Sequence, residues 1–332
     1  MHPWDVTIDA GMVALYQASF LDATPVFASA EAARAVGLAD RAVPTTLLVN
    51  LGLSFSVHDV SEQAIAHLAY LDVRFPAPAY AGDTVRAASK VQGVQPTKEG
   101  DRAVVHVRTI LRTERAVVCA FDRKALVPAG RSEVQPLRGL ADAAWDFREV
   151  ARAPELRVGP GRPGFGGFLE DFAVGDVYLH DVGRTVGESE HMQLSTLLRN
   201  THPLHTDERY ADAGGSFAKT RVVYGGLVLA WAAALSSRDV AGNAIWDLGW
   251  TEGAHPNAVI SGDTIYAASK VLAIAGDAVT WRLVATKNVR PDAILARGAD
   301  LFASELAKPR AERIAEKVFE ATRTLRVRAT GR

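Results

Sequence analysis

Apolar residues recur at helical spacing in two widely separated places. Met12, Leu15, Tyr16 and Phe20 form the first set, and Met192, Leu194, Leu197 and Leu198 the second. Each set predicts a helix with one buried face. Each is followed by a short polar loop containing a proline, then by an apolar run of helix length, residues 45–57 and 225–237. The second run reads Leu227-Val228-Leu229-Ala230-Trp231-Ala232-Ala233-Ala234-Leu235. It is apolar nearly all round, which predicts a helix buried on most sides. Branched and aromatic stretches then predict strands at 104–111 and 117–127, and again at 278–286 and 293–302.

The two series match because the chain contains an internal repeat. Ala81-Gly82-Asp83-Thr84-Val85-Arg86-Ala87-Ala88-Ser89-Lys90-Val91 returns as Ser261-Gly262-Asp263-Thr264-Ile265-Tyr266-Ala267-Ala268-Ser269-Lys270-Val271, identical at eight of eleven positions with an offset of 180. Upstream, Thr7 falls on Thr185 and Pro25 on Pro203 at an offset of 178. The Gly-Asp pairs mark turns between strands. The expected organisation is an N-terminal repeat over 1–127, a Pro/Gly/Arg-rich linker over 128–167 with a short helix near 140–150, and a C-terminal repeat over 168–304. A helical tail is expected over 305–332 from the spacing of Leu306, Ile314, Val318 and Phe319. A buried central helix followed by antiparallel strands is an α+β layout, a hotdog domain with its sheet wrapped round one helix. Two covalently joined copies predict a double hotdog with one continuous sheet, which also removes exposed edges.

Composition narrows the function classes. The 332 residues carry a formal net charge of −1, with 48% hydrophobic residues. That is a globular profile without the basic surface that phosphate backbones require, so nucleic acid is not an expected partner. The single cysteine, Cys119, lies in a strand-like run and rules out an intrachain disulfide. The N-terminus lacks a basic-then-apolar leader, and no apolar stretch reaches the ~18–20 residues of a membrane span. A cytoplasmic protein without membrane contact is the expectation.

Chemistry concentrates in the second repeat. Its loop reads Arg199-Asn200-Thr201-His202-Pro203-Leu204-His205-Thr206-Asp207, where the first repeat reads Leu21-Asp22-Ala23-Thr24-Pro25-Val26-Phe27-Ala28-Ser29. The proline is kept in both copies, whereas both imidazoles occur in one. Scaffold histidines would be expected in both, so the asymmetry points to a site in the second copy. Asp207 reads as the cap of the helix that follows it. A metal lacks a third ligand nearby, His191 and His255 being isolated, and no nucleophile motif or phosphate loop is present.

Asn200-x-His202-Pro203-Leu204-His205, with Asp207 after it and Tyr224-Gly225-Gly226 opening the central helix, resembles the signature of MaoC-like, R-specific enoyl-CoA hydratases. Within that family the double-hotdog mesaconyl-CoA hydratase (β-methylmalyl-CoA dehydratase) group is the most similar in length, repeat and surviving motif. The family pattern is Asp-x-Asn-Pro-Leu-His, then an acidic residue, then His-Gly. Here Asn200 stands for the Asp, His202 for the Asn and Tyr224 for the His, so only His205 matches a catalytic residue outright.

The resemblance implies a hydro-lyase adding water reversibly to a short, branched or dicarboxylic enoyl-CoA, with acyl-CoA as partner and no cofactor beyond the CoA of the substrate. His205 is the expected acid/base, with Asn200 holding the water and His202 as a second acid/base or substrate contact. Backbone N–H groups at Gly225 and Gly226 are the expected thioester-oxygen site. Arg199 is the choice for a second carboxylate and Tyr224 for a further substrate contact, while Lys219, Arg221, Lys287 and Arg290 are candidates for the CoA phosphates. A homodimer of such chains is a further possibility. A hotdog acyl-CoA thioesterase and a non-catalytic acyl-CoA-binding protein are the alternatives.

Overall fold

The computed structural model describes residues 1–2, 4–129, 145–159, 161, 166–306 and 308–330. Eleven strands among them form one antiparallel sheet. In chain order these are β1 (Asp5–Thr7), β2 (Ala66–Arg74), β3 (Thr84–Pro96), β4 (Arg102–Arg112), β5 (Val117–Pro128), β6 (Val177–Leu179), β7 (Arg184–Thr185), β8 (Ala244–Ala254), β9 (Thr264–Ala275), β10 (Ala278–Lys287) and β11 (Lys317–Val327). Their spatial order is β1-β3-β4-β5-β2-β8-β11-β10-β9-β6, with β7 also pairing β9. The halves meet where β2 pairs β8, Tyr70 opposite Gly253 and Val73 opposite Trp250. The predicted continuous sheet is therefore present.

Among the described residues eight α-helices accompany the sheet: α1 (Ala10–Phe20), α2 (Pro25–Ala28), α3 (Ala30–Ala35), α4 (Thr45–Phe55), α5 (Glu188–Leu197), α6 (Glu208–Tyr210), α7 (Gly225–Val240) and α8 (Pro291–Ala296). The central helices are α4 and α7, and every residue of α4 is buried. That explains its lack of a polar stripe: the sheet covers one side and α7 another. The main core cluster runs through both repeats, from Tyr16, Phe27 and Phe121 to Trp231, Trp246 and Trp250. The repeats thus share one core. Cys119 is fully buried in β5, as its neighbours predicted.

Several polar clusters recur in both copies, which marks them as scaffold. His2 Nδ1–H donates to Asp59 (2.6 Å) while its Nε2 meets Ser89 Oγ (2.7 Å), and His180 does the same with Asp239 (2.5 Å) and Ser269 (2.9 Å). Each cluster ties the entry strand to the end of the central helix and to the repeated Ala-Ser-Lys strand. Gly82 and Gly262 turn at positive φ, and Asp83 and Asp263 accept from the backbone N–H groups of Tyr80 and Ile260.

Two expectations are corrected. Residues 293–302 are not a strand: α8 and turns occupy them. The expected helical tail is instead β11, which lies between β8 and β10, so the second repeat runs to Val327. An insertion explains both. The first repeat connects β4 to β5 across residues 113–116, whereas the second crosses 288–316 between β10 and β11. The repeat offset therefore jumps from 180 to 200, which hides the last strand. Its buried ions also disguised it: Lys317 and Glu320 are fully enclosed, paired to each other (2.6 Å) and joined by Arg282 and Glu305.

The linker passes partly through described residues. Segment 145–159 lies along the sheet, Arg74 pairing with Glu149 (2.6 Å) and Arg326 donating to Leu156 O (3.2 Å). Residues 145–150 carry no helix, and the rest of the helix expected over 140–150 falls outside the described residues.

The two central helices touch at Gly226, whose carbonyl accepts from Asn50 Nδ2 (2.9 Å). A Cβ on Gly226 would overlap Asn50 Oδ1 and press on the Tyr224 ring. Gly226→Ala is expected to destabilise the protein by about 1–3 kcal/mol or more, read as a fall in the urea midpoint at unchanged m-value. A midpoint within error of the parent would show that this helix contact is loose.

Candidate active site

A cavity of about 190 Å³ opens between the repeats. The second repeat contributes Asn200, His202, Leu204, His205, Tyr224, Gly225 and His255 to its wall. The first contributes, among others, Leu53, Ile65, His67, Tyr70 and Arg123. The motif loop thus faces the strands of the other copy, so the site needs both. That volume is below the ~300–1,000 Å³ of a drug-sized site and suits a short acyl group rather than a whole CoA.

His205 is placed by a single turn, Pro203–His205, that follows α5. Its Nδ1–H donates to Val222 O (2.8 Å), which fixes the tautomer and leaves Nε2 with its lone pair. Burial lowers its pKa to about 4, with smaller repulsion from His202 and His191. The ring is therefore neutral at physiological pH and remains so well into the acid range.

Asn200 and its counterpart Asp22 do the same local work. Asn200 Oδ1 accepts from His202 N–H (3.0 Å), and Asp22 Oδ1 accepts from Thr24 N–H (2.9 Å). The carbonyl end of Asn200 is thus a repeat-wide turn element. Its amide end interacts with the Tyr224 hydroxyl. His202 is also largely taken up by structure: Nδ1 accepts from Leu204 N–H (3.1 Å), and the Glu62 backbone meets the ring. Asp207 caps the next helix, accepting from the N–H groups of Arg209 and Tyr210.

Gly225 lines the cavity at the first position of α7, where a Cβ would approach His255 Nε2 to 2.9 Å. An unpaired N–H at a helix start suits a developing oxyanion. Gly226 is directed instead at Asn50, so of the glycine pair only Gly225 borders the cavity. Tyr224 forms wall, its hydroxyl donating to Asn50 O (3.3 Å) and accepting from Ser54 Oγ (3.5 Å) across the repeat boundary.

None of the expected cations lines the cavity. Arg199 is exposed, takes a left-handed φ of 61° and does not line the cavity. Leu21, at φ 57°, is the matching residue closing α1, so this position ends a helix in both copies. Arg221 is held by Glu188 and Glu208 beside Met192. Lys219 is exposed and off the cavity. Lys287 is bound to Ala258 O and Asp263, and Arg290 to Asp181 O.

Sequence reasoning missed the first-repeat wall. Tyr70 O–H donates to His255 Nε2 (3.1 Å), while His255 Nδ1–H points at Val318 O (3.3 Å). His67 stacks on Tyr70 at 4.2 Å with both ring nitrogens buried and unpartnered. His67 and Tyr70 lie on β2 and His255 just past the end of β8, and bulges in both strands break the alternation that reveals them. The repeat alignment held the usable signal, because His67 falls on Asp247 and Tyr70 on Trp250 at the same offset of 180.

The matching space in the other half is filled. Phe27 replaces His205, Thr45 replaces Gly225, and Trp250 replaces Tyr70. Phe27 packs edge-on against Trp246 (6.1 Å), and Thr45 Oγ1 donates to Asp247 (3.0 Å).

Comparison with known proteins agrees with the double-hotdog layout. The profile of the mesaconyl-CoA hydratase family matches residues 2–288. A β-methylmalyl-CoA dehydratase of Chloroflexus aurantiacus is 31% identical over 303 residues, covering 87% of this chain and 85% of that protein. A mesaconyl-CoA hydratase of Cereibacter sphaeroides is 33% identical over 305 residues, covering 85% and 84%. Among solved structures, a MaoC domain protein from Chloroflexus aurantiacus superposes with a TM-score of 0.79 at 28% identity, covering 98% of this chain and 94% of that one. A double-hotdog protein of Mycobacterium tuberculosis reaches 0.72 at 20% identity, with the same coverage, and supports the fold alone. A match over most of the length, carried by relatives above 30% identity, makes this chain a member of the mesaconyl-CoA hydratase family.

Proposed function

We propose that the protein reversibly adds water across the double bond of a short enoyl-CoA thioester of the mesaconyl type, with His205 as the acid/base. The observation that carries this reading is the free, neutral Nε2 of His205 in a cavity that is also lined by Gly225, the first residue of α7. In the hydration direction, Nε2 takes a proton from water as the oxygen attacks Cβ. Charge moves to the thioester oxygen, where the Gly225 N–H donates, and His205 then returns the proton it took, from Nε2 to Cα, which leaves the ring neutral again. The amide end of Asn200 and the polar His67–Tyr70–His255 wall can hold water without ionising. Family membership and the names of both curated relatives support the carbon–oxygen lyase chemistry. The cavity's size supports a short acyl chain, with the nucleotide part of CoA outside it.

A hydratase consumes the enoyl-thioester absorbance and yields a product heavier by one water without liberating thiol. Release of free CoA at the same rate would instead favour a thioesterase, and binding without turnover a carrier. His205→Ala is expected to lower kcat/KM by at least ~100-fold with the fold intact. Turnover close to wild type in that variant would remove His205 from the mechanism.

The depressed pKa also sets the pH dependence. The active base is the neutral ring, so kcat/KM should stay level from about pH 8 to about pH 5 and fall through an acid limb near 4. A limb near the ordinary ~6.5 would show that the ring is hydrated and unburied in solution. Stability changes in the same direction. The unfolded chain binds protons on His205 and His255 at higher pH than the folded one, so stability is lost as pH falls from about 6.5 toward 4. Initial rates on protein checked by circular dichroism separate the two effects.

A further inference from the structure

Arg123, on β5, is 3% exposed and lines the cavity. Its hydrogen bonds among the described residues both run through Nη2, to Ser56 Oγ (2.8 Å) and Ser56 O (3.4 Å), while Nε has no partner. No carboxylate lies within ion-pair distance of it among the described residues, and none of the cavity-lining residues is acidic. A buried cation without a counter-ion is costly. Burial lowers its pKa only to about 10, so it remains charged at neutral pH.

The other repeat shows what such an arginine ordinarily has. Arg123 stands opposite Tyr70 in the β5–β2 ladder, and Arg323 opposite Trp250 in the β11–β8 ladder. Two residues further along β5 and β11, His67 stands opposite Ala125 and Asp247 opposite Leu325. The two arginines are therefore equivalent, and so are His67 and Asp247. In the filled half, Asp247 Oδ2 accepts from Arg323 Nε (3.1 Å) and Nη2 (2.9 Å). In the open half the carboxylate has been exchanged for a neutral imidazole whose nitrogens have no partners, and the arginine faces a cavity.

We infer that Arg123 is the receptor for a carboxylate carried by the acyl group of the substrate, which takes the place that the chain's own Asp247 fills in the other half. This rests on the enoyl-CoA reading above and adds to it the group that selects a dicarboxylic over a neutral acyl chain. Guanidinium and carboxylate match in shape and charge, and His67 can donate one further N–H to the same anion. The pair would be complete only with substrate bound, so the preference is for a charge at one end of the acyl chain.

The test compares kcat/KM for mesaconyl-CoA with that for the ester whose distal carboxylate is replaced by methyl, in wild type, Arg123→Lys, Arg123→Gln and His67→Asp. The wild type should prefer the dicarboxylic ester. Arg123→Gln should reduce that preference by at least ~100-fold, and Arg123→Lys by less. His67→Asp keeps the arginine but installs the internal counter-ion tolerated at position 247, and should abolish the preference as well. It also serves if the glutamine variant fails to fold. An equal fall on both esters, as an enolate-stabilising role would give, overturns the proposal, as does a wild type without preference. If the wild type turns over neither ester, the hydratase reading fails on its own. Calorimetry of the saturated dicarboxylic and neutral acyl-CoA esters with the same proteins then decides the role of Arg123.

Discussion

The pairing of β2 with β8 is the constraint on which the rest of the molecule depends. It joins two half-sheets into one, removes two exposed edges, and brings the two central helices, each packed on the strands of its own repeat, against one another. Through it, Tyr70 reaches His255 and the start of α7 faces His67. The close crossing of α4 and α7 at Gly226 follows from the same geometry. Because every site wall is drawn from both repeats, neither copy holds a complete site by itself.

A pseudo-symmetric dimer offers two equivalent positions for a site, and this chain has developed them in opposite directions. In one, Phe27, Thr45, Trp246 and Trp250 occupy the space, and the Asp247–Arg323 pair closes the charge balance internally. In the other, smaller or polar residues stand at the matching points and Arg123 is left unpaired. The first arrangement contributes to the shared core. The second keeps a buried charge without a counter-ion and both His67 ring nitrogens without partners, at a cost in stability. Stability and chemistry are thereby divided between the copies.

His205 illustrates how placement sets reactivity. Its bond to Val222 O selects the tautomer, and its burial keeps the ring unprotonated far below the usual imidazole range. A base of such low pKa is weak, but it is always in the base form at neutral pH. Asn200 ends in a turn that Asp22 makes equally well, so the amide at this point leaves the backbone unchanged while removing a charge. Arg199 looked attractive through proximity in sequence alone. Its left-handed conformation ends a helix and turns the side chain outward.

The amino-acid sequence by itself determined the two-copy plan, because turns, central helices and the Ala-Ser-Lys strands are local patterns repeated at a constant offset. It also singled out His205, because a residue present in one copy and absent from the other is visible without coordinates. It could not show β11, since an insertion shifted the offset and paired ions were buried where apolar residues were expected. Nor could it show that His67, Tyr70 and Arg123 belong to the same site as His205. Those residues are separated by 82 or more positions and meet only through the β2–β8 joint. Bulges set their facing, and the ladder register makes Arg123 the equivalent of Arg323. That long-range pairing, rather than any local propensity, decided what the cavity can recognise.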